Sequence, residues 1–147
     1  MIYFAYGSNL HLEQMMGRCP DAEPLTQANL YGYRLTYRRG VATIEKGGKK
    51  DRVYGALYRI SKRDLEALDR YEGYPYLYYR DVVQVEGKGM GKIYAITYKM
   101  HKHFEFSPPR AYYYEIIQEG YRNWGLPLDS LEKSLENLGS AGLSAGR

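Results

Sequence analysis

The sequence predicts an α+β fold in which helices flank a small mixed β-sheet that is curved or closed like a barrel. Most predicted strands follow one another along the chain, and the helices lie in single crossovers or at the end. The 147 residues include 18 tyrosines, which favour half-buried positions on a pleated sheet. Glycines within and beside the strands are typical of a sheet that bends sharply.

The chain begins with a predicted strand over residues 2–6, where apolar and aromatic residues follow one another. Gly7, Ser8 and Asn9 interrupt this run. A short helix is predicted next, with Ser8 or Asn9 as its N-cap, and it ends at residues 19–21.

Three further strands are predicted before the middle of the chain. The aromatic-rich segment 28–38 is predicted as one strand, 41–44 as a short strand, and 53–60 as a strongly alternating strand. Between the last two, residues 46–51 contain two glycines and three lysines, which predicts a solvated loop.

The next helix is predicted to start after Ser61, with Asp64 at the matching position of a capping box. Leu65 and Leu68 form its apolar face, and Gly73 is a typical residue at a helix C-terminus. Residues 62–72 are therefore expected to be helical.

The second half of the chain contains two more strands and two more helices. Strands are predicted over 80–86 and 92–98 around a turn at 87–91, and helices over 110–124 and 128–138. The whole of 1–138 is predicted to be one domain. The Gly-, Ser- and Ala-rich segment 139–147 is predicted to be a flexible tail.

Composition argues against several classes of protein. The net charge of +4 is dispersed, whereas a nucleic-acid-binding surface needs a denser basic stripe. Cys19 is the only cysteine, which fits a reducing compartment. No apolar run is as long as a membrane span, and residues 1–5 are too short for a signal-peptide core. We therefore expect a cytoplasmic protein that binds neither nucleic acid nor membrane.

Two glycine or histidine patterns do not predict a ligand site. Gly87, Gly89 and Gly91 lack the spacing of a nucleotide-binding loop and predict a hairpin turn. His101 and His103 have no third ligand near them in the sequence, so no metal site is predicted.

The stretch YFAYGSNL, residues 3–10, predicts an anion-binding turn. A strand that runs into a glycine turn and a helix start leaves backbone N–H groups unpaired, and such groups favour a carboxylate or an oxyanion. Ordinary helix capping explains the same residues. A nucleophilic Ser8 is disfavoured because Leu10 occupies the place where a nucleophile elbow has glycine, and pairing of Ser8 with His11 stays open.

The stretch LDRYEGYPYLYYR, residues 68–80, places Glu72 at the C-terminal end of its helix. The helix dipole, the neighbouring Asp69 and five surrounding tyrosines are each expected to raise the pKa of Glu72. A carboxylate of this kind makes a general base. A surface glutamate beside a turn is the alternative interpretation.

Together these stretches resemble the gamma-glutamylcyclotransferase family, including its avirulence-induced-gene-like members. The segment SPPRAYYYEIIQEGYRNWGLP, residues 107–127, resembles the same family in its proline turn, tyrosine, Ile-Ile and Gly-Leu-Pro order. The resemblance extends from Tyr3 to about Leu128.

The resemblance implies an enzyme that needs no cofactor or metal and acts on a small γ-glutamyl compound. The substrate α-amine attacks its own γ-carbonyl group, which releases 5-oxoproline and an amine or amino acid. The identity of the leaving group stays open, because the substrate could also be a γ-glutamyl amine or a carrier-bound γ-glutamyl group. So does the choice between monomer and homodimer. A non-catalytic small-molecule-binding module on the same fold is the alternative.

The resemblance also implies roles for individual residues. Glu72 matches the family's catalytic glutamate, and Tyr79 and Tyr113 match tyrosines that line its pocket. The N–H cluster is expected to bind the oxyanion or the substrate carboxylate, and it comprises Tyr6, Gly7, Ser8, Asn9 and Leu10.

Overall fold

The computed structural model of the chain describes residues 1–137. Its seven strands are β1 Ile2–Ala5, β2 Glu23–Tyr31, β3 Tyr33–Arg38, β4 Val41–Lys46, β5 Arg52–Arg59, β6 Tyr78–Gly87 and β7 Gly91–Met100. Its α-helices are α1 Leu12–Arg18, α2 Lys62–Glu72, α3 Ala111–Trp124 and α4 Leu128–Ser134. Short 3₁₀ turns cover Ser8–Leu10 and Leu135–Asn137. The predicted domain boundary at 138 and the predicted tail 139–147 lie outside the described residues.

Five of these strands form a closed barrel in the order β1-β5-β2-β6-β7. A parallel contact between Tyr3 of β1 and Ile96 of β7 closes the ring, and the other pairings are antiparallel. The β3-β4 hairpin forms a separate two-stranded sheet. The predicted α+β fold with a barrel-like mixed sheet is therefore confirmed.

Tyrosines fill much of the core, and their hydroxyl groups find partners inside it. Tyr58 donates a hydrogen bond to the carbonyl of Asn9 at 2.9 Å, and Tyr98 donates to the Asp69 carboxylate at 2.6 Å. Because a buried hydroxyl without a partner is costly, these bonds explain how the fold accommodates so many tyrosines.

Two sequence predictions about the elements are wrong. Segment 28–38 is not one strand, because Gly32 adopts a φ of +80° and separates β2 from β3. Helix α1 is capped by His11, whose Nδ1 accepts a hydrogen bond from the Gln14 N–H, and not by Ser8 or Asn9. Residues 8–10 instead form the 3₁₀ turn.

Helix α2 has the predicted ends. Ser61 and Asp64 form a reciprocal capping box, and Gly73 ends the helix at a φ of +65°. Glycine readily adopts this left-handed conformation, so the helix ends here and Glu72 is its last residue. Within residues 1–137, the helices are too short or too polar to cross a membrane.

Candidate active site

A narrow recess lies where the segment after β1 meets the end of α2. Its volume is about 20 Å³, which is room for one water-sized group. The lining residues are Tyr3, Tyr6, Gly7, Ser8, Asn9, Ala42, Glu72, Tyr78 and Tyr113.

An outer cleft of about 200 Å³ shares Ser8, Glu72, Tyr78 and Tyr113 with the recess. Val41, Tyr71 and Leu77 complete its walls. The recess and the cleft together therefore form one site whose inner end is polar and whose outer end is more apolar. A larger cavity of about 290 Å³ lies among β3, β5 and α4, and its described lining residues include none of the candidate site residues.

Glu72 is the carboxyl group of the recess. Burial among aromatic side chains raises its pKa from the ordinary 4.5 to about 8, and the positive charge of Arg18 opposes this effect. Asp69 does not contribute as predicted. Its carboxylate accepts a hydrogen bond from Tyr98 at 2.6 Å and lies 3.4 Å from Arg80, so its charge is already compensated.

Tyrosine hydroxyl groups surround Glu72. Its charge helps to raise the pKa of five tyrosines, which are Tyr3, Tyr6, Tyr78, Tyr98 and Tyr113. No side chain in the described part of the chain forms a hydrogen bond or an ion pair with the Glu72 carboxyl group. The group is therefore desolvated but left open to a ligand in the recess.

The segment 6–9 lines the same recess, and three of its backbone N–H groups have no acceptor among residues 1–137. The 3₁₀ turn uses the N–H groups of Leu10 and His11, which donate to Gly7 and Ser8 carbonyls at 3.0 and 3.1 Å. Across residues 1–137, no acceptor is found for the N–H groups of Gly7, Ser8 and Asn9. The unpaired N–H groups follow from a 3₁₀ turn rather than from the start of an α-helix, and their binding of an anion stays a prediction.

Leu10 does not belong to this cluster. Its side chain is fully buried in the core, its N–H is used within the turn, and its carbonyl accepts a hydrogen bond from Trp124 at 3.0 Å. Tyr6 contributes its side chain to the recess wall, and its hydroxyl donates to the Tyr98 carbonyl at 2.6 Å.

Asn9 and Ser8 fix the segment 6–9 in place. The Asn9 amide donates to the Tyr3 hydroxyl at 2.9 Å and accepts from Arg18 at 2.5 Å. The Ser8 hydroxyl lies 2.9 Å from the Tyr71 hydroxyl. These bonds connect the segment to β1, to the end of α1 and to the end of α2.

Gly120 allows α3 to approach this segment closely. A Cβ atom at Gly120 would lie 2.6 Å from the Cβ of Leu10 and 2.8 Å from the N of His11, which is too close for a real contact. Helix α3 also contributes Tyr113, whose hydroxyl accepts a hydrogen bond from the Ala42 N–H at 3.1 Å. The glycine therefore helps to set the distance between Tyr113 and the recess.

Of the two tyrosines predicted for the pocket, the recess contains Tyr113 but not Tyr79. Tyr78 takes the expected place, and its hydroxyl donates to the Ala42 carbonyl at 2.5 Å. Neighbouring side chains on a strand point to opposite faces, so β6 directs only one of the two tyrosines toward Glu72. Tyr79 instead packs against His101, with ring centroids 5.0 Å apart.

Serine, cysteine and metal chemistry have no support in the geometry of residues 1–137. Ser8 bonds to Tyr71, whereas Nδ1 of His11 accepts from the Gln14 N–H, so no Ser–His pair forms between them. Cys19 is buried, and burial raises its pKa to about 12. Residues 1–137 contain no group of three or more His, Cys, Asp or Glu side chains that could hold a metal ion.

Comparison with known proteins identifies the family. The family model described as "Gamma-glutamyl cyclotransferase, AIG2-like" matches residues 3–122, which is most of the chain. The chain belongs to this family. The family resemblance predicted from the three sequence stretches is confirmed.

Individual members of the family agree with this assignment. The gamma-glutamylcyclotransferases of Homo sapiens and Bos taurus are each 33% identical to the chain and are matched over 90% of it and 76% of their own length. A solved structure described as "Gamma-glutamyl cyclotransferase" superposes with a TM-score of 0.82 at 31% identity, over 90% of this chain and 85% of that one. These matches support the predicted cyclotransferase function and its assignment as an enzyme.

Proposed function

We propose that Glu72 is the general base of a γ-glutamyl cyclotransferase reaction in this recess. The observation that carries the proposal is a desolvated carboxyl group beside three backbone N–H groups, all of them without a hydrogen-bond partner among residues 1–137. The substrate would be a small compound with a γ-glutamyl group on an amine nitrogen.

The reaction needs proton transfer but no external nucleophile. The Glu72 carboxylate removes a proton from the substrate α-ammonium group, and the α-nitrogen forms a bond to the γ-carbonyl carbon. As the tetrahedral intermediate collapses, the bond from that carbon to the leaving nitrogen breaks. The proton held by Glu72 passes to the leaving nitrogen. The ring nitrogen releases its second proton to solvent, and the free amine takes up a proton from solvent as it becomes an ammonium group. The products are 5-oxoproline and the amine, and the protein returns to its starting state.

The raised pKa of Glu72 suits this transfer. An α-amino group has a pKa of about 8, so a base with a pKa of about 8 exchanges the proton almost without free-energy cost. An ordinary glutamate would be a much weaker base. Because both reacting groups belong to one substrate, holding the right conformer supplies much of the remaining acceleration.

The free N–H groups of Gly7, Ser8 and Asn9 would bind an anionic oxygen of the γ-glutamyl group. The recess beside them has room for about one water-sized group, which matches one oxygen of the tetrahedral oxyanion or of the substrate carboxylate. The Tyr113 hydroxyl accepts from the Ala42 N–H and so keeps its own proton to donate.

The leaving group would occupy the outer cleft. Val41, Tyr71 and Leu77 line this cleft, whose volume of about 200 Å³ suits a free amine or a single amino acid. A carrier-bound γ-glutamyl group would have to extend from the cleft into solvent. The dispersed charge and the single, buried cysteine support a cytoplasmic enzyme that acts on small molecules.

The experiment is an assay of the purified protein against γ-glutamyl dipeptides, γ-glutamyl amines and glutathione, with 5-oxoproline as the readout. The Glu72→Gln variant should lose turnover. Glu66→Gln, which changes an exposed glutamate on the same helix, should retain it. Turnover that survives in Glu72→Gln would contradict the role of Glu72. Ligand binding without turnover by the wild type would favour the non-catalytic module.

A further inference from the structure

Arg18, the last residue of α1, contacts both halves of the site. One guanidinium nitrogen donates to the Asn9 side-chain oxygen at 2.5 Å, which fixes the segment with the free N–H groups. The guanidinium carbon lies 3.4 Å from the centre of the Tyr71 ring, in a close cation–π stack. Tyr71 directly precedes Glu72, and its hydroxyl bonds to Ser8 at 2.9 Å.

We propose that Arg18 is a positioning residue for Glu72, joining the segment 6–9 to the end of α2 through Asn9 and Tyr71 and holding its positive charge near the carboxyl group. The catalytic consequence of this role rests on the function proposed for Glu72. The contacts themselves do not, and they can be tested separately.

The groups that face Glu72 are uncharged or already paired, so they do not cancel the effect of the Arg18 charge on the pKa of Glu72. They are the hydroxyls of Tyr3 from β1, Tyr6 directly after β1, Tyr78 from β6, Tyr98 from β7 and Tyr113 from α3. All five are neutral near pH 7, because burial raises their pKa above the ordinary value of 10.0. Asp69, on α2 itself, is occupied by Tyr98 and Arg80. Arg18 lowers the pKa of Glu72 against the effect of burial.

The geometry of the guanidinium group also matters. A planar group can stack on Tyr71 and donate to Asn9 at the same time, whereas a lysine ammonium group would keep the charge but lose the flat stack. Arg18→Lys and Arg18→Gln therefore separate the two contributions. Arg59→Gln, which removes an exposed arginine at the end of β5, is the control for a loss of charge far from the site.

The first measurement is the titration of Glu72 by carbon NMR with glutamate labelled at the carboxyl carbon, assigned from the signal that disappears in Glu72→Gln. In Arg18→Gln the titration midpoint should rise by about one pH unit, equivalent to about tenfold in the proton-binding constant. In Arg18→Lys it should rise by less than in Arg18→Gln, because the charge remains but is no longer held by the stack on Tyr71, and Arg59→Gln should leave it unchanged. An unchanged midpoint in Arg18→Gln would overturn the proposal.

The second measurement is the pH dependence of kcat/KM for 5-oxoproline release. The kcat/KM of the wild type should exceed that of Arg18→Gln about tenfold at pH values below both Glu72 titration midpoints. At higher pH the two values of kcat/KM should become equal. A ratio that is the same at every pH, or a change confined to KM, would show a purely structural or substrate-binding role and would overturn the proposal.

Two further controls keep the proposal testable. If Arg18→Gln does not fold, Tyr71→Leu removes the stacking surface while leaving both charges, and the Glu72 midpoint should again rise. A midpoint that stays at the wild-type value in that variant would overturn the proposal. If the wild type produces no 5-oxoproline, the proposed function fails, whereas the NMR titration still decides the role of Arg18.

Discussion

Replacing Glu72 with glutamine should make the protein more stable at alkaline pH while it removes turnover. The folded protein holds the Glu72 proton up to a pH of about 8, whereas the unfolded chain releases it near the ordinary 4.5. Between these values the folded state binds more protons than the unfolded state, so the free energy of unfolding falls as pH rises. Glutamine has no charge to bury and lacks this loss.

The size of the effect follows from the two pKa values of Glu72. A fully desolvated group would lower the free energy of unfolding by roughly 3 kcal/mol between about pH 5 and pH 8, by linkage to proton binding. Glu72 borders a cleft that opens to solvent, and screening reduces the penalty, so we expect about 1.5 to 3 kcal/mol. For a domain of this length that corresponds to a rise in Tm of roughly 5 to 10 °C.

The assay is urea unfolding of wild type, Glu72→Gln and Glu66→Gln at both pH values. The stability of Glu72→Gln relative to the wild type should increase from pH 5 to pH 8, whereas Glu66→Gln should follow the wild type because its side chain is exposed. If Glu72→Gln and the wild type lose stability in parallel, the carboxyl group is not desolvated. The assignment of Glu72 as a base with a raised pKa would then be refuted.

Three further substitutions test the arrangement around the recess. Gly120→Ala should lower the free energy of unfolding by about 1 to 3 kcal/mol in urea and should also lower kcat, because a methyl group cannot fit against Leu10; normal stability would contradict that close contact. Tyr113→Phe should lower kcat/KM about tenfold by removing a hydroxyl at the recess, whereas Tyr79→Phe should leave kcat/KM unchanged. Equal effects of the two substitutions would contradict the assignment of Tyr113 to the site. Gly7→Val should fold, as judged by circular dichroism, but calorimetry should detect no substrate binding, because the valine methyl groups would fill a recess of about 20 Å³. Normal binding would show that Gly7 is only a turn residue.

Local signals explain which parts of the structure could be predicted from the sequence. The capping box of Ser61 and Asp64 and the stop at Gly73 define α2 within a few residues, and they place Glu72 at its end. The break at Gly32 was missed because alternating aromatic residues continue on both sides of it. A glycine inside such a pattern fits a bulge as well as a turn.

Long-range packing explains why parts of the candidate site could not be predicted. The choice between Tyr78 and Tyr79 depends on how the turn after Gly73 enters β6, and a difference of one residue reverses the face. Arg18 was missed because its partners, Asn9 and Tyr71, lie on different elements that meet only in the fold. The Tyr-Glu-Gly sequence at residues 71–73 does not indicate which positively charged side chain lies near Glu72 in the fold.

The signature Tyr-Gly-Ser-Asn-Leu combines two requirements that are met by different residues. The proposed chemistry needs unpaired N–H groups beside a desolvated carboxyl group, and within residues 1–137 the backbone of Gly7, Ser8 and Asn9 can supply them. Stability needs that backbone to be held without hydrogen bonds to those N–H groups, so the side chains of Ser8 and Asn9 bond to Tyr71, Tyr3 and Arg18 instead. Leu10 anchors the end of the segment in the core. Because side-chain bonds hold the segment, its N–H donors and the Glu72 carboxyl group have no partner among residues 1–137 and are available to a substrate.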